Sequence, residues 1–185
     1  MATTTTAANV STTTWAIDPL HSEIQFKIKH LVISTVTGFF RSFQGSAISA
    51  GNNFEDAVID FSIDVDSIET NQAQRDAHLK NGDFFEADKY PQIVFQSTAF
   101  KKISDDQYKL IGNLTMKGVT KEVEVLAEYG GSEKDNYGNI KHGFEVTGTI
   151  NRKEFGLTYN AITETGGLAL GENIKLVANI QLGQA

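Results

Sequence analysis

The chain has no cysteine, only two prolines, a single tryptophan and no apolar run long enough to cross a membrane as a helix. Without cysteine there is no disulfide scaffold, no thiolate zinc site, no iron–sulfur ligation and no cysteine nucleophile. The redox compartment stays open, because such a chain suits reducing and oxidising surroundings equally. Positive charge is also scarce: 16 Lys and Arg stand against 23 Asp and Glu, a net charge of −7. An acidic chain repels phosphate backbones, and the densest basic spots, Lys27-Ile28-Lys29 and Lys101-Lys102, are too short to form a nucleic-acid patch. No nucleic-acid partner and no membrane insertion are expected. What the chain does have is 16 glycines and 12 phenylalanines in 185 residues. That length favours one domain, with a core large enough to need no metal or disulfide staple.

Residues 1–14 are mostly Thr, Ala and Ser, without a basic n-region or an apolar core. They read as a disordered Thr-rich tail rather than a signal peptide. On that reading the protein is cytoplasmic as written, and periplasmic if a leader was removed. A single domain is expected over residues 15–185.

From Trp15 onward the dominant signal is alternation with period two, the mark of half-buried strands. Residues 23–30 put Ile24, Phe26, Ile28 and His30 on one face. Residues 57–65 put Ile59, Phe61, Ile63 and Val65 together, with Asp60 and Asp64 facing solvent. Ile93 and Phe95 share a face in the next strand, then Leu110, Gly112, Leu114 and Met116. Val123, Val125, Ala127 and Tyr129 follow, then Phe144, Val146, Gly148 and Ile150, and last Ile174 to Leu182. One stretch breaks the period: Phe40 and Phe43 are three apart, and a β-bulge near Arg41–Ser42 would return both to the interior.

Turns are expected at Gly51-Asn52-Asn53, Ser104-Asp105-Asp106, Lys117-Gly118, from Gly130-Gly131 through Asn139, and at Gly166-Gly167. Only residues 70–79 read as helix, with Thr70 or Asn71 as the cap, Ala73, Ala77 and Leu79 as a weak apolar face, and Asn81-Gly82 as the stop. The result is an all-β chain of about eight antiparallel strands and one short helix. A closed up-and-down barrel removes the sheet edges; a two-sheet sandwich is the alternative.

An eight-stranded barrel is either filled by side chains or wide enough for one small ligand. The inward faces are apolar, and Gly112, Ala127, Gly148 and Ala178 are small. Beside Phe26, Phe61, Phe95 and Phe144, these small residues would leave a lengthwise gap, or else they ease strand bending and close approach. Replacing Gly112 or Gly148 with Leu is then expected to weaken ligand binding more than folding. His30 continues an apolar face and can bond a polar head, or be a satisfied histidine at a strand end. Arg75 can contact an anionic head, or with Asp76 tie the helix to the barrel rim. His21, His78 and His142 show no ligand spacing, and no metal or cofactor is expected.

Several ordered segments are similar to one family. Trp15-Ala-Ile-Asp18, His21-Ser-Glu-Ile-Gln-Phe26 and His30 resemble the opening of the YceI-like family of bacterial lipid-binding proteins. Further matches are Gly38-x-Phe40-x-x-Phe43-x-Gly45, Ser67-Ile-Glu-Thr70, Arg75-Asp76-x-His78-Leu79 and Asp83-Phe84-Phe85. Tyr90-Pro91-x-Ile93-x-Phe95-x-Ser97, Gly112-x-Leu114-Thr115-x-Lys117-Gly118-Val119-Thr120-Lys121 and Arg152-x-x-Phe155-Gly156-Leu157 complete the set. The resemblance implies an extended lipocalin-like barrel with an apolar tunnel for a long-chain amphiphile such as a polyisoprenoid or isoprenoid quinone. The candidate ligand contacts are Phe26, Ile28, His30, Phe40, Phe43, Phe61, Ile63, Arg75, Phe84, Phe85, Phe95, Leu110, Gly112, Leu114, Phe144, Gly148 and Arg152. His30, Arg75 or Arg152 would orient the head. The expected role is binding, carriage or sequestration without catalysis. The alternatives are an isomerase or cyclase working in the same pocket through His30, and a solid barrel that binds protein on its surface. A homodimer is compatible with the sequence.

Overall fold

The computed structural model describes residues 11–185. The chain forms β1 (Thr13–Ile17), β2 (Glu23–His30), β3 (Ser34–Phe40), β4 (Phe43–Ala50), β5 (Asn53–Asp64), β6 (Ile68–Glu69), α1 (Ala73–Lys80), β7 (Gln92–Lys102), β8 (Gln107–Met116), β9 (Val119–Lys134), β10 (Ile140–Asn151) and β11 (Leu170–Gln184). Every pairing is antiparallel, and the sheet closes because β11 meets β10 on one side and both β1 and β2 on the other. β1 pairs with the end of β11 and β2 with its first two-thirds, so β1 and β2 form one interrupted stave. β3 pairs with β2 while β4 pairs with β1 and β5, so β3 and β4 form the next. Counted this way the barrel has eight staves. A sandwich would have left edges that closure removes.

The irregularity near Arg41–Ser42 is therefore a break rather than a bulge. The chain leaves β2 and joins β5 there, and the gap is stitched by Arg41 N–H donating to the Ser67 carbonyl (3.2 Å) and Asp64 N–H to that of Ser42 (3.0 Å). β6 pairs with Phe39 and Phe40 at the same place. The Gly130-Gly131 pair is not a turn either: β9 runs through it, with Gly131 at φ +105° beside a register shift against β10, and the turn comes after Lys134. Lys117-Gly118 is the tight hairpin its sequence suggests, with both residues at positive φ.

α1 starts later than the sequence suggests, with Gln72 as cap accepting from Arg75 N–H, and ends at Asn81. Ala73 and Ala77 are exposed, so of the expected apolar face only the half-buried Leu79 packs against the core. Side-chain bonds add to that contact: Thr70 donates through N–H and Oγ1 to Asp76, and Arg75 donates to the Thr70 hydroxyl and carbonyl. Both residues thus tie the helix to the rim. The expected tail falls largely on residues 1–10, outside the described residues; Thr13 and Thr14 already belong to β1.

Candidate functional site

One end of the barrel is closed by aromatic packing. Trp15, Phe54, Tyr129, His142 and Phe144 form a cluster with ring centroids 4.5–6.2 Å apart, and Phe100 stacks on Tyr108 at 4.7 Å. Trp15 Nε1 donates to Ser49 Oγ at 2.8 Å, which satisfies the indole inside this floor. His142 is 2% exposed and shares a 2.8 Å hydrogen bond with the Tyr129 hydroxyl. Burial holds its imidazole below the ordinary value, so the floor is uncharged near neutrality.

Above the floor lies a cavity of about 510 Å³. Its wall is built from the inward faces of nearly every stave, because strand parity sends alternate residues inside. Phe26, Ile28, Val125, Val146, Leu176 and Ala178 all line it, and all are only half-buried although they point inward. In a filled barrel these side chains would be sealed by their neighbours; here they face open interior space.

The opposite end carries the polar groups. His30, Thr70, Arg75, His78 and Tyr159 line the cavity there, and Tyr159 and Ala161 are also exposed to solvent, which makes this end the mouth. His78 Nε2 lies 2.8 Å from an Asp83 carboxylate oxygen, and its ring packs edge-on against Phe84 and Tyr159, both at 5.0 Å. No group of three or more His, Cys, Asp or Glu able to hold a metal occurs among the described residues.

Most of the expected contact residues reach this space. Phe26, Ile28 and His30 line it from β2, Phe40 from β3, and Phe61 and Ile63 from β5. Phe95, Leu110, Leu114 and Phe144 line it from the far wall, and Arg75, Phe84 and Phe85 from the segment over the mouth. Arg152 is in the wall too, but it is 2% exposed and its guanidinium donates to the carbonyls of Leu157, Tyr159 and Gly171. That makes it a clamp on the 157–171 loop. Burial lowers its ordinary value, and Glu172 nearby counters this.

Three expected residues do not line the cavity: Phe43, Gly112 and Gly148. Phe43 packs on Phe61, with ring centroids 6.2 Å apart, below the break in its stave. The glycines leave no gap. A Cβ at Gly112 would strike the Phe95 ring and the Gln96 carbonyl, and one at Gly148 would strike Val125. These glycines let neighbouring side chains lie across them, so the gap from which a selective effect of Leu on binding was expected is filled.

Phe54, Leu157, Tyr159 and Ala169 line the cavity without having been expected to. Phe54 has the wrong parity for its strand. Asp56, at φ +64°, shifts the phase, so Phe54 and Ala57 are both buried although three apart. The other three lie on a loop without periodicity, held in place by Arg152 and by strand β11.

The YceI-like domain family matches residues 15–182 of this chain. A UPF0312 protein of Staphylococcus aureus is 38% identical over 170 residues, covering 91% of this chain and 96% of the relative. A crystal structure of a Campylobacter jejuni YCEI protein superposes with a TM-score of 0.72 at 33% identity, covering 86% of this chain and 91% of that one. Burkholderia cenocepacia BcnA (TM-score 0.77, 19% identity, 89% and 98% covered) shares the fold. So does a polyisoprenoid binding domain from Saccharophagus degradans (TM-score 0.69, 13% identity, 92% and 98% covered). With this match across the whole barrel, and with the opening, central and late motifs in order along it, the chain belongs to the YceI-like family.

Proposed function

We propose that this barrel binds one long-chain amphiphile, with the tail on the aromatic floor and the polar head among His30, Arg75 and His78 at the mouth. The observation that carries the reading is the hollow interior: inward-pointing apolar side chains that stay half-exposed around about 510 Å³. That volume lies within the range of roughly 300–1,000 Å³ typical of small-molecule sites. Each enclosed CH₂ contributes roughly 0.8 kcal/mol, so a ten-carbon tail offers roughly 8 kcal/mol before the costs of association. Binding of this kind needs few polar contacts, and the wall offers few. An isoprenoid chain or isoprenoid quinone fits the class. The polyisoprenoid binding described for the Saccharophagus degradans domain supports that class by fold alone. A site closed at the aromatic floor and open at the mouth supports carriage or sequestration of such a ligand.

Organic extraction of the purified protein followed by mass spectrometry tests the reading. A long-chain prenyl or acyl species in about equimolar amount is expected; a clean extract together with no uptake of prenyl quinones by the extracted protein would contradict it. The His78–Asp83 pair favours the enzymatic alternative, since a carboxylate can orient a histidine for proton transfer. Turnover of a bound lipid that disappears in His78→Gln while binding persists would support that alternative over a carrier.

A further inference from the structure

The β2–β3 turn ends in Leu31-Val32-Ile33, and it is the most exposed apolar feature beside the cavity mouth. Val32 is 82% and Ile33 86% exposed. Leu31 N–H donates to the Ala169 carbonyl at 2.8 Å, which fixes the turn to the loop whose Ala161 and Ala169 line the cavity. That loop adds Ile162, 79% exposed, and Leu168, which bridge to each other. The apolar tip is therefore continuous with the opening.

The turn backbone sharpens the case. Leu31 and Val32 sit at φ +52° and +65°, the left-handed region that suits Gly, Asn or Asp and is rare for a β-branched residue. Bulky apolar side chains are held there at a conformational cost and pack against no core. Positive side chains cluster beside the tip. Lys29 is two residues from Leu31 along the chain, and Lys27 lies one side-chain pair deeper, about 7 Å, and opposite Lys175 on β11. Among the described residues none of these lysines has a carboxylate within ion-pair distance, in a chain of net charge −7. Nearby Glu172 is paired with Lys153, and Glu164 is the acid on the loop side.

We propose that this tip docks the barrel mouth-down on an anionic lipid bilayer, with Val32 and Ile33 entering the headgroup boundary and Lys27, Lys29 and Lys175 facing anionic headgroups. Apolar wedges beside a basic patch are what such a surface recognises, and the attraction falls off within a Debye length. Contact would set the mouth against the lipids from which a ligand is drawn.

The test is co-sedimentation of the full chain with vesicles of phosphatidylcholine alone and of phosphatidylcholine with phosphatidylglycerol in equal parts, at 0.1 and 0.5 M salt. Binding at least tenfold stronger to the anionic vesicles, weakened by salt, is expected. Val32→Gly with Ile33→Ser should lower it at least tenfold, and so should Lys27→Gln, Lys29→Gln and Lys175→Gln together. Because Gly accepts the turn conformation, the tip variant should melt at or above the wild-type temperature and take up prenyl alcohol as the wild type does. Absence of vesicle binding, binding unchanged in the tip variant, or a tip that instead pairs two copies in solution would overturn the proposal. A tip variant that melts early or loses prenyl alcohol would do so as well, by making the turn part of the core or of the cavity. If the wild type binds anionic vesicles but no prenyl lipid, the docking surface stands and the cavity reading falls.

Discussion

At the scale of single residues, side-chain volume is distributed by need rather than by position along a tunnel. Gly112 and Gly148 are small because Phe95 and Val125 lie across them. Gly112→Leu and Gly148→Leu should each cost about 1–3 kcal/mol or more in denaturant unfolding, since the new side chain would overpack the Gln96 carbonyl and Phe95 ring at the first and the β-branched Val125 side chain at the second. Unchanged stability with lost binding would restore them to the ligand site. Parity arguments place Gly112 correctly on the inner face, but they cannot show that a neighbouring ring already occupies the space. The same limit applies to Arg152, whose charge looks free in sequence while in the fold its Nε and Nη1 are taken up by the carbonyls of Gly171, Leu157 and Tyr159. His142 makes a second prediction. It is neutral when folded because burial lowers its affinity for a proton, whereas the unfolded chain binds one below about pH 6.5. The unfolded state therefore gains protons first, and stability should fall as pH drops from 7 to 5, by up to about 1.4 kcal/mol per pH unit from this group. His142→Gln should flatten that part of the profile in a pH series of thermal melts. An equal slope in wild type and variant would assign the loss to other groups.

At the scale of elements, the strands were legible because a barrel wall enforces period two. The inward faces of β2, β5, β7, β8, β10 and β11 follow directly from it, and those of β1, β3 and β4 are obscured by short length and by the break at Arg41–Ser42. The Phe40–Phe43 spacing marks an irregularity there, but whether it is a bulge or a break depends on which strand lies alongside. Phe54 was hidden in the same way by the phase shift at Asp56. The helix was legible as a segment but not as a packing unit: its alanines face solvent, and the Thr70, Arg75 and Asp76 bonds hold it. Asp76→Ala should therefore loosen α1 without loosening the barrel. Amide exchange across Ala73–Lys80 should speed up at least tenfold while β10 keeps its protection. Uniform acceleration of both would mean that the helix and the barrel unfold as one unit.

At the scale of the whole molecule, the composition fits the proposed container. Phenylalanine lines the wall and builds the floor, glycine serves turns and close approaches, and the acidic charge lies on the outer faces. The absence of cysteine removes chemistries that an aliphatic tail does not require. A large side chain placed in the open interior should therefore compete with the ligand rather than with the fold. Ala178→Phe, on an inward position that faces the cavity, should reduce prenyl-lipid uptake by at least tenfold and leave the melting temperature within a few degrees of wild type. Loss of folding instead would mean that the interior is already filled. The most direct test is a crystal structure of the protein soaked with a long-chain prenyl alcohol. The account predicts one continuous tube of density from the Phe54–Phe144 floor to a polar end near His30, Arg75 and His78. Density confined to the outer surface, or a barrel interior closed by its own side chains, would contradict it.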